Sequence, residues 1–303
     1  MRLKSPRWRS LFVFVLLAGS CLALAPRMLA QEGEPEVLLP EQSAAKAKQI
    51  IQLGIEALGG SAYLGVKDVT ITGQLSFFGH SGELNGYGKF IDYAVPPGKE
   101  RQENLPKRNI IEVYNGDKGW TLDRGGVSEA AASSVSQNIA DQKIDIDNIL
   151  RHRIHEPDMI FRYDGPDVVE LKQADWVELV DSDNRTIRIA FAQSTHLPIK
   201  KEVELRDPQT QRRTSEKEYY SNYHPIQGVQ TPFQIARERN DIKIYQVFFD
   251  SVQYNTGISD QIFTRQSLED RWEQVDKKHK KQKDQKPKTS PTDSDDSTQP
   301  QKN

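Results

Sequence analysis

The stretch that decides the fold is Asn115-Gly116-Asp117-Lys118-Gly119-Trp120. An alternating run, 109–114, precedes it, and a shorter run, 120–123, follows it. A polar loop with glycine between two such runs predicts a β-hairpin, because Asn115 and Gly116 tolerate the positive φ that a tight reversal requires. Trp120 opens the return strand with a large ring that must be buried or must meet a ligand. Further hairpins of this kind predict an antiparallel sheet.

Two alternating runs before this hairpin predict two more strands. The first has apolar residues at alternating positions from Val69 to Phe77, interrupted by Gly73, where we expect a bend or a close approach of two chains. The second runs from Tyr87 to Tyr93 and ends at Pro96-Pro97-Gly98. A polar strand, 99–105, then leads into the central hairpin.

An amphipathic helix is predicted before these strands. Its apolar residues recur at helical spacing and form one stripe, Ala47, Ile51, Gly54, Ile55 and Leu58. Ser43 is the expected N-cap, and Gly59-Gly60 is the expected stop. Such a helix most simply covers one face of the sheet, because it has few of the basic residues that favour a membrane surface.

The alternation is lost between the two halves of the chain, over residues 128–153, where helical spacing returns. Val135 and Ile139 are four positions apart. A second stripe consists of Ile146, Ile149 and Leu150. Acidic residues begin this second piece and basic residues end it, as the helix dipole favours. One or two amphipathic helices are therefore predicted to interrupt the sheet.

Strands are predicted again in the second half of the chain. The expected runs are 168–171, 176–180, 186–191, 198–205, 213–223, 229–235 and 242–254. A turn is expected at Asn240-Asp241, between the last two. These strands are highly charged, so one face of the sheet is expected to be solvated. The predicted fold class is mainly β (α+β), an unclosed, strongly curved antiparallel half-barrel with amphipathic helices covering its concave face.

The N-terminal residues have the features of a secretory signal peptide. Basic residues precede an apolar run from Leu11 to Ala25, and small residues follow. The run is short for a membrane span, which needs about 20 apolar residues. Cleavage after Ala25 and cleavage after Ala30 are both open. A third interpretation is lipidation, because Ala18-Gly19-Ser20-Cys21 resembles a bacterial lipoprotein signal in which Cys21 is acylated.

Four segments are expected along the chain. They are a signal peptide at 1–30, a flexible leader at 31–42, a half-barrel domain at 43–271 and a disordered tail at 272–303. The tail is first Lys-rich and then rich in Ser, Thr, Pro and Asp. Its basic run could touch an anionic surface, although such runs are more often simply solvated.

Composition excludes some classes of function. The chain of 303 residues has a formal net charge of −2 and a pI near 6.3, which argues against a nucleic-acid partner. Cys21 is the only cysteine, so the mature domain must rely on a buried core rather than on disulfides. A domain of about 230 residues is large enough to bury such a core. We expect a monomer.

The sequence contains no Gly-rich phosphate loop, no G-x-S-x-G motif and no catalytic cysteine. The best metal candidate is His152 and His155 with Glu156, but the neighbours Arg151 and Arg153 add positive charge, and a solvated helix explains the pattern better. Two acidic pairs suit capping and turns better than calcium. They are Asp145 with Asp147 and Asp181 with Asp183. We therefore expect no metal and no cofactor.

Apolar and aromatic side chains are the remaining site candidates. Those on predicted strands are Phe77, Phe90, Tyr93, Tyr114, Trp120, Phe191, Phe233 and Phe249. Those on the predicted helices are Ile139, Ile146, Ile149 and Leu150. If the helices fill the concave side of the sheet only in part, these residues line a lipid-sized pocket. If the helices fill it completely, the same residues form the core, which is the more common role for any one of them.

A series of short motifs follows one order through the chain. They are Ala57-Leu58-Gly59-Gly60, Pro96-Pro97-Gly98-Lys99, Tyr114-Asn115-Gly116-Asp117-Lys118-Gly119-Trp120, Tyr219-Tyr220-Ser221-Asn222-Tyr223, Gly228-Val229-Gln230-Thr231-Pro232-Phe233, and Asn255 before Asp260-Gln261-Ile262-Phe263. From about 44 to 263 the chain resembles the outer-membrane lipoprotein-sorting family, the LolA/LolB-like carriers, and in particular their uncharacterised periplasmic relatives.

The resemblance implies an unclosed β-barrel with helices across its open side. It also implies a non-enzymatic activity, in which an apolar cavity holds acyl chains of lipoproteins or other lipids. No matched position carries the family's functional arginine, and the Lys-rich tail is not part of the family's usual pattern.

Three hypotheses on function result. The first is a secreted, periplasmic carrier of lipid or lipoprotein acyl chains, anchored to the outer membrane if Cys21 is acylated. The second is a structural or interaction module of the cell envelope, with an envelope protein as partner and no ligand. Complete packing of the helix residues Ile139, Ile146, Ile149 and Leu150 against the sheet would favour it. The third is a hydrolase of envelope material that uses His152 and His155.

Overall fold

The computed structural model describes residues 38–105, 110–206 and 212–284, which form one antiparallel sheet and its covering helices. The strands are β1 (Val69–Phe78), β2 (Leu84–Val95), β3 (Lys99–Leu105), β4 (Ile110–Asn115), β5 (Lys118–Asp123), β6 (Gly126–Glu129), β7 (Ile160–Val169), β8 (Lys172–Val180), β9 (Thr186–Ala192), β10 (Pro198–Arg206), β11 (Arg213–Ile226), β12 (Val229–Arg239) and β13 (Ile242–Tyr254). The helices are α1 (Pro40–Leu58), α2 (Ser61–Leu64), α3 (Ala132–Ile144), α4 (Ile146–Arg151) and α5 (Arg265–Asp284), with short 3₁₀ turns at Arg153–His155 and Asp260–Phe263. Within these residues, no helix combines the length and the apolar character needed to cross a membrane.

The sheet consists of two series of consecutive hairpins that meet at its centre. Its 13 strands follow the order β6-β5-β4-β3-β2-β1-β13-β12-β11-β10-β9-β8-β7. The two series join where β1 pairs antiparallel with β13, with Val69 opposite Tyr254. The outer strands, β6 and β7, are consecutive in the chain but are not paired, so the sheet is not closed. The predicted fold class, mainly β with an unclosed half-barrel, is confirmed.

The central hairpin forms as predicted. Asn115 of β4 lies opposite Lys118 of β5, and the turn between them contains Gly116, whose φ is +62°. The glycine pair at 125–126 does not interrupt the sheet. It forms another tight turn, after which the short strand β6 returns along β5.

Gly73 makes the close approach that its place in a strand predicts. A Cβ at this position would lie 2.4 Å from the carbonyl oxygen of Phe248 and 3.0 Å from the ring of Phe90. The register of β1 against β13 also shifts here. A side chain would therefore push the two central strands apart.

Helix α1 buries all five residues of its predicted stripe. It begins at Pro40, so the expected N-cap at Ser43 is wrong. The hydroxyl of Ser43 instead accepts a hydrogen bond from the backbone N–H of Tyr163 at 2.8 Å, which ties the helix to β7. The predicted stop is confirmed, because Gly59 ends the helix with φ +127°.

The main core lies between α1 and the inward face of the second series of strands. Its buried members include Ile51 and Ile55 of α1 and Val177, Leu179, Ile187, Ile189 and Phe191 of the sheet. Gly54 allows the closest contact, because a Cβ there would lie 2.4 Å from Cε1 of Phe191. The helix can approach the sheet this closely only with glycine at that position.

A second core lies on the opposite face of the first series of strands. Ile111, Val113 and Leu122 pack there against Phe263 and Leu268, which belong to the last 3₁₀ turn and to α5. Successive residues of a strand point to opposite faces, so the residues of this core alternate along each strand with residues of the concave face. The first series is therefore covered on both faces.

Helix α5 extends into the segment that was expected to be a disordered tail. We predicted disorder from residue 272, but the helix continues to Asp284, so the prediction is wrong for 272–284. The rest of the predicted tail, 285–303, lies outside the described residues, as do the predicted signal peptide and Cys21.

The predicted strand at 168–171 is placed wrongly at both of its ends. Strand β7 starts earlier, at Ile160, and stops at Val169. Glu170 and Leu171 have φ values of 49° and 61° and form the two-residue turn into β8. Leu171 is 98% exposed, so its apolar side chain does not indicate a buried strand.

Candidate functional site

A cavity of about 450 Å³ lies between α4 and the concave face of the sheet. Apolar side chains from the sheet and from α4 form part of its wall, among them Ile71, Leu150, Ile235 and Phe249. Charged side chains form another part, and these come from β2, β3, β10, β11, β12, α3 and α4. The cavity therefore has both an apolar and a strongly polar lining.

The helices above the cavity are fixed to one edge of the sheet by Asp181. This carboxylate is completely buried and accepts a hydrogen bond from Nη2 of Arg153 at 3.1 Å, just after α4. It also accepts the backbone N–H groups of Asp183 and Arg185 at 3.0 and 2.9 Å. Arg153 in turn donates to the carbonyl of Lys143, near the end of α3, at 2.5 Å. One buried ion pair therefore connects both covering helices to the β8–β9 turn.

Three of the four basic residues of the cavity wall pair with carboxylates of the same wall. Arg151 Nη2 lies 3.4 Å from an oxygen of Asp147, Lys201 Nζ lies 2.6 Å from an oxygen of Glu218, and Arg237 Nη2 lies 3.3 Å from an oxygen of Asp141. Arg237 also pairs with Glu216, which does not line the cavity. Burial raises the pKa of Glu218, but the charges of Lys201 and Arg237 lower it by more than burial raises it. The pKa of Glu218 is therefore below its usual value.

Two carboxyl groups of the wall, Asp92 and Glu100, have no basic partner among the described residues, and a third, Asp145, lies near Lys201. Burial, and then the charge of Glu100, hold the pKa of Asp92 well above its usual value. Burial also raises the pKa of Glu100, although this side chain accepts a hydrogen bond from Asn138 Nδ2 at 2.8 Å. Desolvation of the carboxyl group, and then Asp147, raise the pKa of Asp145 to about 6, and the charge of Lys201 opposes this shift. These groups therefore hold their protons more strongly than exposed carboxylates do.

Arg151 also has unused hydrogen-bonding capacity. Its guanidinium stacks on the ring of Tyr63 at 4.3 Å, and the Tyr63 hydroxyl donates to Asp147 at 2.7 Å. Nε and Nη2 of Arg151 are buried and have no hydrogen-bond partner among the described residues. Burial opposes the charge of Arg151, but Asp147 raises its pKa, so the group stays charged.

Of the residues predicted for the site, three line the cavity: Ile146 and Leu150 of α4 and Phe249 of β13. Phe90 and Phe233 lie beside them, with ring centroids 6.5 and 6.3 Å from that of Phe249 in edge-to-face contacts. These five residues form one apolar region on the concave side. Their role in ligand binding stays a prediction.

The other predicted site residues do not line the cavity. Tyr93 and Trp120 belong to the second core, on the opposite face of the sheet. Phe191 and Ile149 are packed in the main core, at 1% and 0% exposure. Phe77 and Ile139 are 44% and 38% exposed. Tyr114 is half-buried on the concave face, where burial and then Glu112 raise its pKa.

The proposed histidine pair is exposed, and the adjacent Arg151 and Arg153 are the buried residues. In the described ranges, no group of three or more His, Cys, Asp or Glu side chains is arranged to hold a metal ion. One residue of each acidic pair acts in a cap or a turn, as predicted. Asp145 accepts the N–H of Asn148 at 2.9 Å at the start of α4, and Asp181 closes the β8–β9 turn.

Sequence reasoning missed the acidic part of the cavity. The signal was present in β2, where Phe90, Asp92 and Ala94 occupy alternate positions and therefore face the same side. A carboxyl group between two apolar residues of one face indicates a polar site within an otherwise apolar wall. The alternating run from Tyr87 to Tyr93 is the other set of β2 residues, and Tyr93 faces the second core.

Solved structures include similar folds. A DUF1329 family protein from Desulfovibrio piger is 15% identical, with 73% of this chain and 98% of that chain covered at a TM-score of 0.54. A LolA superfamily protein from Nitrosomonas europaea is 12% identical, with 73% and 99% covered at a TM-score of 0.50. The chain has the LolA-like fold. No family model and no curated protein matches the sequence.

The resemblance that the sequence motifs predicted is thus confirmed at the level of the fold. In this chain, the cavity lies on the concave side of the sheet. Helices α3 and α4 come between the outer strands β6 and β7 in chain order. At such low identities the ligand has to be inferred from the cavity itself.

Proposed function

We propose that this LolA-like chain is a non-enzymatic carrier that holds acyl chains of lipids or lipoproteins in the cavity beneath α4. The observation that carries the proposal is the cavity, of about 450 Å³, with Leu150 and Phe249 in its wall. Ligand pockets typically have volumes of about 300–1,000 Å³ and mostly apolar walls with a few polar groups. An acyl chain would remove the apolar part of this wall from water.

The proposed place of action is the periplasm. It is supported by the basic start, the apolar run and the small residues at the N-terminus, which are typical of a secretory signal. Acylation of Cys21 would instead anchor the protein to the outer membrane. An envelope protein that donates or accepts the lipid is the proposed partner, and the carrier would act as a monomer. The basic part of the C-terminal region could add contacts with anionic surfaces.

The experiment that tests this proposal fills the cavity. Ile146 is half-buried in the cavity wall, so Ile146→Trp should occupy the space and weaken the binding of a fluorescent fatty-acyl probe about tenfold or more. Ile139→Trp is the matched control, because Ile139 lies on α3 outside the cavity and is 38% exposed. Its probe affinity should equal that of the wild type.

Native mass spectrometry of the mature protein from its own envelope, followed by organic extraction, provides an independent result. A bound lipid mass would support the carrier and give its ligand class. The proposal fails if no preparation contains lipid and the wild type binds no acyl probe.

A structural or interaction module is the second candidate. It is favoured by Ile149 and Leu150, which are both 0% exposed and pack in the main core. It is opposed by Ile139 and Ile146, which are not fully packed against the sheet. If the wild-type protein captures an envelope partner and never binds a lipid probe, the module is the correct function.

A further inference from the structure

We propose that the ligand of the cavity has a cationic polar end, and that Asp92 and Glu100 bind its ammonium group. The ligand class is then an amine-bearing amphiphile, with its chain on the apolar wall and its amine between the two carboxyl groups. This inference rests on the proposed function, because it names the ligand class of the same cavity.

Charge pairing in the wall is the first argument. Arg151, Lys201 and Arg237 each have a carboxylate partner inside the cavity. Lys99 also borders the cavity, but its Nζ lies 2.7 Å from Asp260 and is used there. Asp92 and Glu100 therefore have no basic partner among the described residues, and the wall has two unpaired carboxyl groups at this point.

The position of the two carboxyl groups is the second argument. In the β2–β3 pair, Ala94 lies opposite Glu100 and Asp92 lies opposite Gln102, so Asp92 and Glu100 are diagonal neighbours on one face. Such neighbours have Cα atoms about 7–8 Å apart. An ammonium group has three donors and no acceptor, so it can bridge two carboxylates at this spacing.

The unsatisfied state of Asp92 is the third argument. Asp92 lines the cavity, and its Oδ1 is buried and has no hydrogen-bond partner among the described residues. Buried polar atoms without a partner are rare and unfavourable, so this one points to a donor that the ligand supplies. The raised pKa of both carboxyl groups agrees with a missing positive charge. A metal ion is a poorer candidate, since no suitable group of three ligands exists among the described residues.

The test compares three ligands of one chain length that differ only in the polar end: dodecylamine, dodecanol and dodecanoic acid. Each displaces a fluorescent acyl probe from the full mature protein at neutral pH. We expect the wild type to bind the amine about tenfold more tightly than the alcohol, and the acid most weakly. Equal affinity for the amine and the alcohol, or a preference for the acid, would overturn the inference.

Variants locate the effect. Asp92→Asn and Glu100→Gln keep the shape of the side chains and remove the charge, so each should lower the ratio of amine to alcohol affinity about tenfold. Asp250→Asn is the matched control, because Asp250 is an exposed residue of β13 next to Phe249 and does not line the cavity. Its ratio should equal that of the wild type. The inference also fails if both cavity variants keep the wild-type ratio.

The outcomes separate this inference from the proposed function. If none of the three ligands binds, the carrier proposal fails and this inference fails with it. If the alcohol binds but the amine has no advantage, the carrier proposal stands and only the charge preference is overturned. Circular dichroism of each variant checks its fold, and the two cavity variants test the same point independently.

Discussion

Replacement of Asp181 by alanine should cause a large loss of stability. Asp181 is completely buried and accepts hydrogen bonds from Arg153, from Arg185 and from two backbone N–H groups. Its loss would leave the side chain of Arg153, which is only 7% exposed, with Glu156 as its remaining acidic partner. Breaking a buried ion pair from one side typically costs about 3–5 kcal/mol.

The retained Glu156 contact places the expected cost for Asp181→Ala near the lower end of that range, at about 3 kcal/mol. A typical domain is stable by about 5–15 kcal/mol, so the loss is a large fraction of the total. Urea unfolding followed by circular dichroism should show a midpoint lowered by about 1–2 M. Hydrogen exchange should also become faster in α3 and α4, because Arg153 connects both helices to the sheet.

Asp164→Ala is the control for this prediction. Asp164 also pairs with an arginine, Arg188, at 2.6 Å, but the two side chains are 38% and 35% exposed. An exposed ion pair contributes about 0–1 kcal/mol, so the midpoint should change little. If Asp181→Ala loses no more stability than Asp164→Ala, the reasoning from burial is refuted.

Three further predictions concern other parts of the chain. Gly54→Ala should destabilise the protein by up to about 2 kcal/mol, because overpacking against Phe191 exceeds the gain in helix propensity. In urea unfolding, the double variant with Phe191→Leu should lose less than the sum of the two single changes, and simple additivity would contradict the clash. Asp145 has a pKa of about 6 in place of 3.8, so it favours the folded state below about pH 4 and loses this contribution as the pH rises through 6. Asp145→Asn, which keeps the cap, should therefore flatten the fall in thermal stability between these values, and an unchanged pH profile would exclude this group as its source. Glu170→Asn with Leu171→Gly should raise stability by about 1 kcal/mol, since both residues have positive φ. A lower melting temperature would show that Leu171, although 98% exposed, contributes contacts.

Much of the architecture was predictable because local rules decide it. The stripe of α1 and the turn at Gly116 follow from spacing and from backbone preference, and both are confirmed. The cap at Ser43 was wrong because its hydroxyl is used by Tyr163, a residue 120 positions away. No local pattern reports such a contact.

The site was less predictable because the chain covers both faces of its first series of strands. Alternation shows that Tyr93 and Asp92 face opposite sides, but it does not show which side holds the cavity. Tyr93 faces the second core, and Asp92 lies at the cavity. The prediction that Ile139 lines the cavity was wrong for a related reason. Helical spacing gives the stripe but not the covered face, and in α3 the polar Asn138 faces Glu100 while Ile139 is exposed.

The pairing of β1 with β13 has a consequence for the order in which the protein can assemble. Val69 lies opposite Tyr254, which is 185 positions later (254 minus 69). All other strand pairs join neighbours in the chain, so they can form early, whereas this pair needs the C-terminal strand. Until β13 arrives, β1 presents an open edge that can pair with other chains. A chain truncated before β13 would therefore not lose an outer strand. It would lose the seam that joins two separate series of hairpins.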